Sequence, residues 1–321
     1  MINQSTYKDF GGFAGRFALT YLIFYAAVGV VFLNLQGALP AESRVALDFF
    51  EPYRLGIDNL VAQFLLGGFL ALVLYPFYDL LVRGERGLLI LFAALWGVAL
   101  LGNLEPKPGS IEGMIYTHTT IFEHFLVTAA GAIQYFCFAL VFLRWERRQG
   151  QKGSIAVSSL ENIAASQKTA PSKWLRGYTA RFTLVHLIIY MMVGILFYEI
   201  SGYEEALATM EAFALWRDLE SPVMVAAVFF GQIFRGAFLA LLLYAFYGTY
   251  MSRRNGWLLL FGLVIGLKVF PAIFTVPESL GAAIVEAAVG LPEIIAQTLV
   301  FSLVFFAWEK RRSQKLDSRA A

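Results

Sequence analysis

The chain is poor in the residues from which common active sites and metal centres are built. Its one cysteine, Cys137, lies inside an apolar run, so no internal disulfide can form and the redox compartment is left open. Its three histidines, His118, His124 and His186, are too scattered for an obvious ligand set. His124 and His186 fall at opposite ends of their apolar segments, whereas a bis-histidine haem needs two imidazoles at one depth. The spacing of His118, Glu123 and His124 matches no zinc pattern. No Walker loop, dinucleotide fingerprint, nucleophile elbow, HExxH or paired CxxC occurs. This argues against an ATP-driven pump and the better-marked hydrolases but leaves open a membrane enzyme using unmarked carboxylates, and no cofactor or metal is expected. Charge is scarce as well: charged residues make up 15% of the chain and the net charge is only +2, which gives no reason to invoke nucleic acid.

What is abundant is apolar surface, at 59% hydrophobic and 16% aromatic residues, well beyond the usual soluble range of roughly 45–50% apolar. Runs of membrane-spanning length, about 20 residues each, are expected near 17–36, 59–82, 87–104, 120–143, 181–200, 223–250, 256–275 and 280–307. The partner implied by this pattern is the lipid bilayer. Of the 25 Lys and Arg, the great majority fall on the side of these spans that carries the termini, whereas the opposite loops are acidic. The positive-inside rule then places both termini in the cytoplasm of a plasma (inner) membrane, with multiple passes. Met1–Arg16 is polar and lacks a cleavage site after a short apolar core, so it is expected to be retained.

The chain also repeats itself. Phe69-Leu-Ala-Leu-Val-Leu-Tyr-Pro-Phe-Tyr78 returns as Phe238-Leu-Ala-Leu-Leu-Leu-Tyr-Ala-Phe-Tyr247, an offset of 169. Phe138, Trp145 and Glu146 return as Phe301, Trp308 and Glu309 at an offset of 163, and Arg16-Phe17 returns as Arg181-Phe182 at 165. The reading is an all-α polytopic membrane protein, eight transmembrane helices arranged as a tandem parallel duplication of a four-helix bundle. Its parts are residues 1–148, a solvated cytoplasmic linker at 149–173, and residues 174–321. The outer loops around 43–60 and 203–219 mix aromatics with acids, as either interfacial amphipathic helices or ordinary structured loops would. The segment from Pro106 to Tyr116, six residues of which the second copy lacks, reads as a solvent loop, or else as a lid or short re-entrant turn over the first bundle.

Ionisable groups inside apolar spans are costly, at roughly 2.5–3.5 kcal/mol each, and mark sites or paired clamps. Such groups concentrate in the second half: Arg235, Lys268, Glu286 and Glu293. Glu286, Glu293 and Gln297 share one helix face, and Gln232 and Gln297 have amide counterparts in Gln63 and Gln134. Arg235, Lys268 and Glu293 align instead with Leu66, Ala99 and Ala130. The simplest account is a neutral charge network closed within the second bundle, serving either as a structural clamp or as a site. The site reading is binding or translocation of a small polar or anionic solute, or of an ion, through Arg235, Lys268, Glu286, Glu293, Gln232 and Gln297. The other readings are a membrane enzyme acting on a lipid-like or isoprenoid substrate, and a non-catalytic scaffold or accessory subunit. Pro292 beside Glu293 marks a place where a helix lining a cavity can bend. The oligomeric state is not legible from the sequence.

Overall fold

A computed structural model describes residues 4–50, 56–102, 106–152, 172–200, 214–218, 221–274 and 280–320. Among these the chain is all-helical and contains no strand, only the isolated bridge between Thr117 and Trp216. The helices are α1 Gln4–Ala38, α2 Val45–Phe50, α3 Ile57–Leu74, α4 Gly87–Leu101, α5 Ile111–Tyr116 and α6 Ile121–Lys152 in the N-terminal half. In the C-terminal half they are α7 Ser172–Ile200, α8 Pro222–Tyr244, α9 Tyr247–Met251, α10 Gly256–Lys268, α11 Phe270–Ile273 and α12 Leu280–Ala320.

Among the described residues, six helices are long and apolar enough to cross a membrane: Phe10–Ala38, Ile57–Phe77, Ile121–Gln149, Trp174–Ile200, Pro222–Tyr244 and Gly290–Lys315. Their outer faces are strongly apolar, with Val31 68%, Phe125 66%, Met192 66% and Phe230 66% exposed, a surface compatible with lipid and costly in water. The remaining expected spans fold as shorter helices, of 15 residues in α4 and 13 in α10. At 1.5 Å per residue these reach only about 20–23 Å, short of a hydrocarbon core of about 30 Å. Local chemistry stops each of them. α4 ends at Gly102, whose φ of 116° lies in the region open to glycine, and α10 gives way at Val269 to the Pro271-containing turn of α11.

The helices pack in one order in both halves. α1 packs on α3 and α6, and α4 on α6; α7 packs on α8 and α12, and α10 on α12. Aromatic rings lock the long helices together at matching places. Phe17 meets Phe138 at 4.7 Å and 65°, and Phe182 meets Phe301 at 4.7 Å and 62°. Near the end that carries the chain termini, Arg16 binds Glu146 at 2.7 Å while the Tyr78 hydroxyl donates to the same carboxylate at 3.1 Å. Arg181, Glu309 and Tyr247 repeat this triad at 2.5 and 3.0 Å.

The halves meet where α4 lies on α8 and α10 lies on α3 and α4. Phe77 stacks edge-on against Phe246 at 4.9 Å. A Cβ on Gly97 would sit 2.7 Å from Leu242 Cδ2, and one on Gly266 would overlap the Val73 side chain. Both glycines therefore admit close approach of the neighbouring helix. Their costs differ, because Leu242 can swing its terminal methyls while the β-branched Val73 is stiff at χ1. Gly266→Ala is expected to destabilise the protein by about 1–3 kcal/mol, more than Gly97→Ala. Val73→Ala in the same chain should recover much of the loss, and thermal unfolding of the four variants in detergent checks it.

Candidate functional site

The site forms around Arg235, which α8 carries into the interior at 7% exposure. Helix α8 begins cleanly because Ser221 accepts a hydrogen bond from the Met224 amide at 3.3 Å and Pro222 occupies the first turn. Gln232, one turn before Arg235, is 2% exposed. The Arg235 guanidinium lies 5.8 Å from the centre of the Tyr190 ring on α7, within cation–π range.

Arg235 forms its ion pair with Glu112, and the two side chains are 9% and 11% exposed. This corrects the expectation of a charge network closed within the second bundle, because the counter-ion comes from the N-terminal half. It equally corrects the reading of residues 106–116 as a solvent loop. Ser110 caps α5 by accepting from Gly113 N at 2.9 Å, and Glu112 sits in its first turn. A Cβ on Gly102 would overlap the Glu112 carboxylate, and Gly109, at φ 83°, has Val127 Cγ1 2.6 Å from where its own Cβ would be. A glycine at each place lets the strap lie flat enough to aim Glu112 across the interface. The far end is pinned to the C-terminal half: the His118 amide donates to Leu215 O at 2.9 Å, the Arg217 amide to Tyr116 O at 2.8 Å, and Arg217 Nε to Thr117 O at 2.7 Å.

Beside Arg235, between α7, α8, α10 and α12, lies a cavity of ≈ 40 Å³, room for a few water-sized groups. Its polar wall is His186, Tyr190, Arg235, Lys268, Gln297 and Thr298, and its remaining lining is apolar. The structure thus brings together Arg235, Lys268 and Gln297 of the residues singled out by sequence, with Gln232 one turn from Arg235. Glu293 lies one turn from Gln297, whose amide donates to it at 2.7 Å, and both face Gly194 on α7. α12 runs unbroken through Pro292, while the side chain of Glu286 lies outside the described residues.

Sequence reasoning missed His186, Tyr190, Thr298 and Glu112. Thr and Tyr are unremarkable within apolar helices, so nothing in the sequence marked Tyr190 or Thr298. His186 is more than one turn along α7 from the span boundary set at Arg181, a depth its position in the chain could have indicated. Gln232 lies beside His186, and the two side chains interact. The N-terminal half is filled at the equivalent depth: Tyr21 and Tyr135 pack at 6.4 Å, and Leu66 and Leu95 are 1% and 4% exposed.

Other polar residues have structural duties. Glu123 accepts from Ala46 N at 2.8 Å at the start of α2, and from Thr120 N at 2.9 Å and Thr120 Oγ1 at 2.8 Å at the start of α6. With Glu123 N donating back to Thr120 Oγ1 at 3.2 Å, this is a capping box that also ties down the α2 segment. His124 Nδ1 accepts from Gly109 N at 2.9 Å, holding the strap from its other side. Among the described residues no group of three or more His, Cys, Asp or Glu is placed to hold a metal ion.

The cavity is rich in donors. Guanidinium, ammonium, phenol, hydroxyl and carboxamide groups face it, while the two carboxylates next to it are already bound, Glu112 by Arg235 and Glu293 by Gln297. Its capacity is for a small electron-rich group. Comparison with family models, with curated proteins and with solved structures finds no match to this chain.

Proposed function

We propose that this is a multi-pass inner-membrane protein that binds and translocates a small anion, or a small polar solute of the same acceptor chemistry, through the Arg235–Lys268 cavity. The chain is read as a tandem duplication of a four-helix unit with cytoplasmic termini, in which only the second copy has become a site. The observation that carries the reading is the small cavity with two cationic side chains and four further polar groups on its wall. A buried cation kept at such cost, beside space large enough for water, is the arrangement expected of a solute or ion path. The volume suits an ion or a few atoms and is far below the roughly 300–1,000 Å³ of pockets for larger organic ligands.

The repeated Arg–Glu–Tyr triad and the reciprocal packing of Gly97 and Gly266 across the interface support the duplication, since an isologous contact presents the same patch from both partners. Under the sequence offsets, His186 stands where the N-terminal half has Tyr21, and Thr298 where it has Tyr135. Arg235 and Lys268 replace Leu66 and Ala99. Two large rings become smaller polar groups, which supplies the space, and two apolar groups become cations, which supplies the charge.

Thermal unfolding of the purified protein, titrated with chloride, bromide or formate against gluconate at constant ionic strength, tests the proposal. Small anions should raise the melting temperature saturably in the wild type and not in Lys268→Gln. Proteoliposomes should pass the stabilising anion faster than empty vesicles do. A wild type indifferent to every small anion in both assays contradicts the proposal.

A further inference from the structure

The anion-site reading gives the Glu112–Arg235 pair a second meaning. Glu112 does not belong to the bundle that houses the cavity. It arrives from the N-terminal half on a six-residue helix, preceded by two glycines at positive φ, and its carboxylate occupies the most buried cation of the site. If the pair served stability alone, apolar residues of similar volume would do as well or better. The pair persists in a place where Lys268, His186 and Tyr190 also look onto open space.

We propose that Glu112 is a built-in competitor for this site, which takes a small monovalent anion in exchange for it. The statement rests on the anion-site reading and adds the class of ligand and the means of control. The exchange balances charge. One carboxylate leaves the guanidinium as one anion arrives, so the interior charge beside Arg235 and Lys268 is unchanged and no proton need move. The Glu112 turn then comes away from α8, where Ile115 now lies against Gly231, while the backbone bridge at Thr117 and Trp216 stays as the hinge. Anion arrival at the C-terminal half is thereby signalled to the N-terminal half through α5.

Glu112→Gln keeps the size of the side chain and removes its charge. Bromide and formate titrations of the full chain should show half-saturation at a concentration at least five-fold lower in Glu112→Gln than in the wild type, within the usual span of coupling effects. Hydrogen exchange gives a reading that needs no variant: bromide should speed exchange of the wild-type amides of residues 111–116 and leave those of α1 unchanged. If the wild type binds these anions but Glu112→Gln binds them no more tightly, and exchange in 111–116 is unaffected, the competitor role is overturned and the anion site stands. If the wild type binds none of them, the anion site itself fails and this inference falls with it.

Discussion

Leucine in place of Arg235 is expected to lower stability by roughly 3–5 kcal/mol, the cost of leaving one member of a buried ion pair without its partner. Glu112 would then stand almost fully buried beside an apolar side chain, without its counter-ion. Leucine itself fits a buried helix position of this kind, as Leu66 does on α3 at 1% exposure. The loss should therefore come from the orphaned charge, and Arg235→Leu combined with Glu112→Gln should regain most of it. Equilibrium unfolding in detergent of the two single variants and the double variant separates these terms, because contacting residues depart from additivity by the energy of their interaction. Full additivity would mean that the two side chains act independently in solution.

Arg181→Leu should cost a similar roughly 3–5 kcal/mol, and Arg16→Leu nearly as much. In both places a carboxylate, Glu309 at 3% and Glu146 at 4% exposure, would lose its guanidinium and keep only a tyrosine hydroxyl. The first loss should be the larger, since Arg181 is 14% exposed against 24% for Arg16 and so is less screened by solvent. Removing Glu309 together with Arg181 should recover most of the stability. Thermal melts of the two variants side by side measure whether the halves rely on equivalent clamps. A large effect in one and none in the other would count against their being copies of one unit.

Much of the site could be read before the structure because buried charge is so conspicuous in an apolar chain. Arg235 and Lys268 interrupt apolar runs, and the spacing of Glu293 and Gln297 by four residues put them on one face, where they are hydrogen-bonded. The residues that were not legible fall into two kinds. Tyr190 and Thr298 are of types common in apolar helices, and they gain meaning only from the space they border. Glu112 lies outside the apolar runs in a segment that the second half has only in part, so neither periodicity nor internal comparison could match it to Arg235. The pairing crosses between halves, and a sequence repeat describes each half alone.

The fold shows the same division. Apolar length identified the six long helices. It overestimated α4 and α10, since a run of apolar residues does not reveal that Gly102 takes φ 116° or that Pro271 starts a new turn. Each short helix buries one face fully, with Leu91, Ala94, Leu260 and Leu263 at 0–1% exposure, while Leu89 and Leu258 on the other faces are exposed. Their apolar character reflects contact with protein as much as with lipid, and hydropathy alone does not separate the two.

The central claim is that the space beside Arg235 and Lys268 is an anion site, and anomalous diffraction from crystals of the full chain grown in bromide addresses it most directly. The account predicts one strong bromide peak within contact distance of the Arg235 and Lys268 side chains in the wild type, lost in Lys268→Gln and stronger in Glu112→Gln. Bromide confined to surface lysines and arginines, with the cavity free of anomalous density in all three proteins, would contradict it.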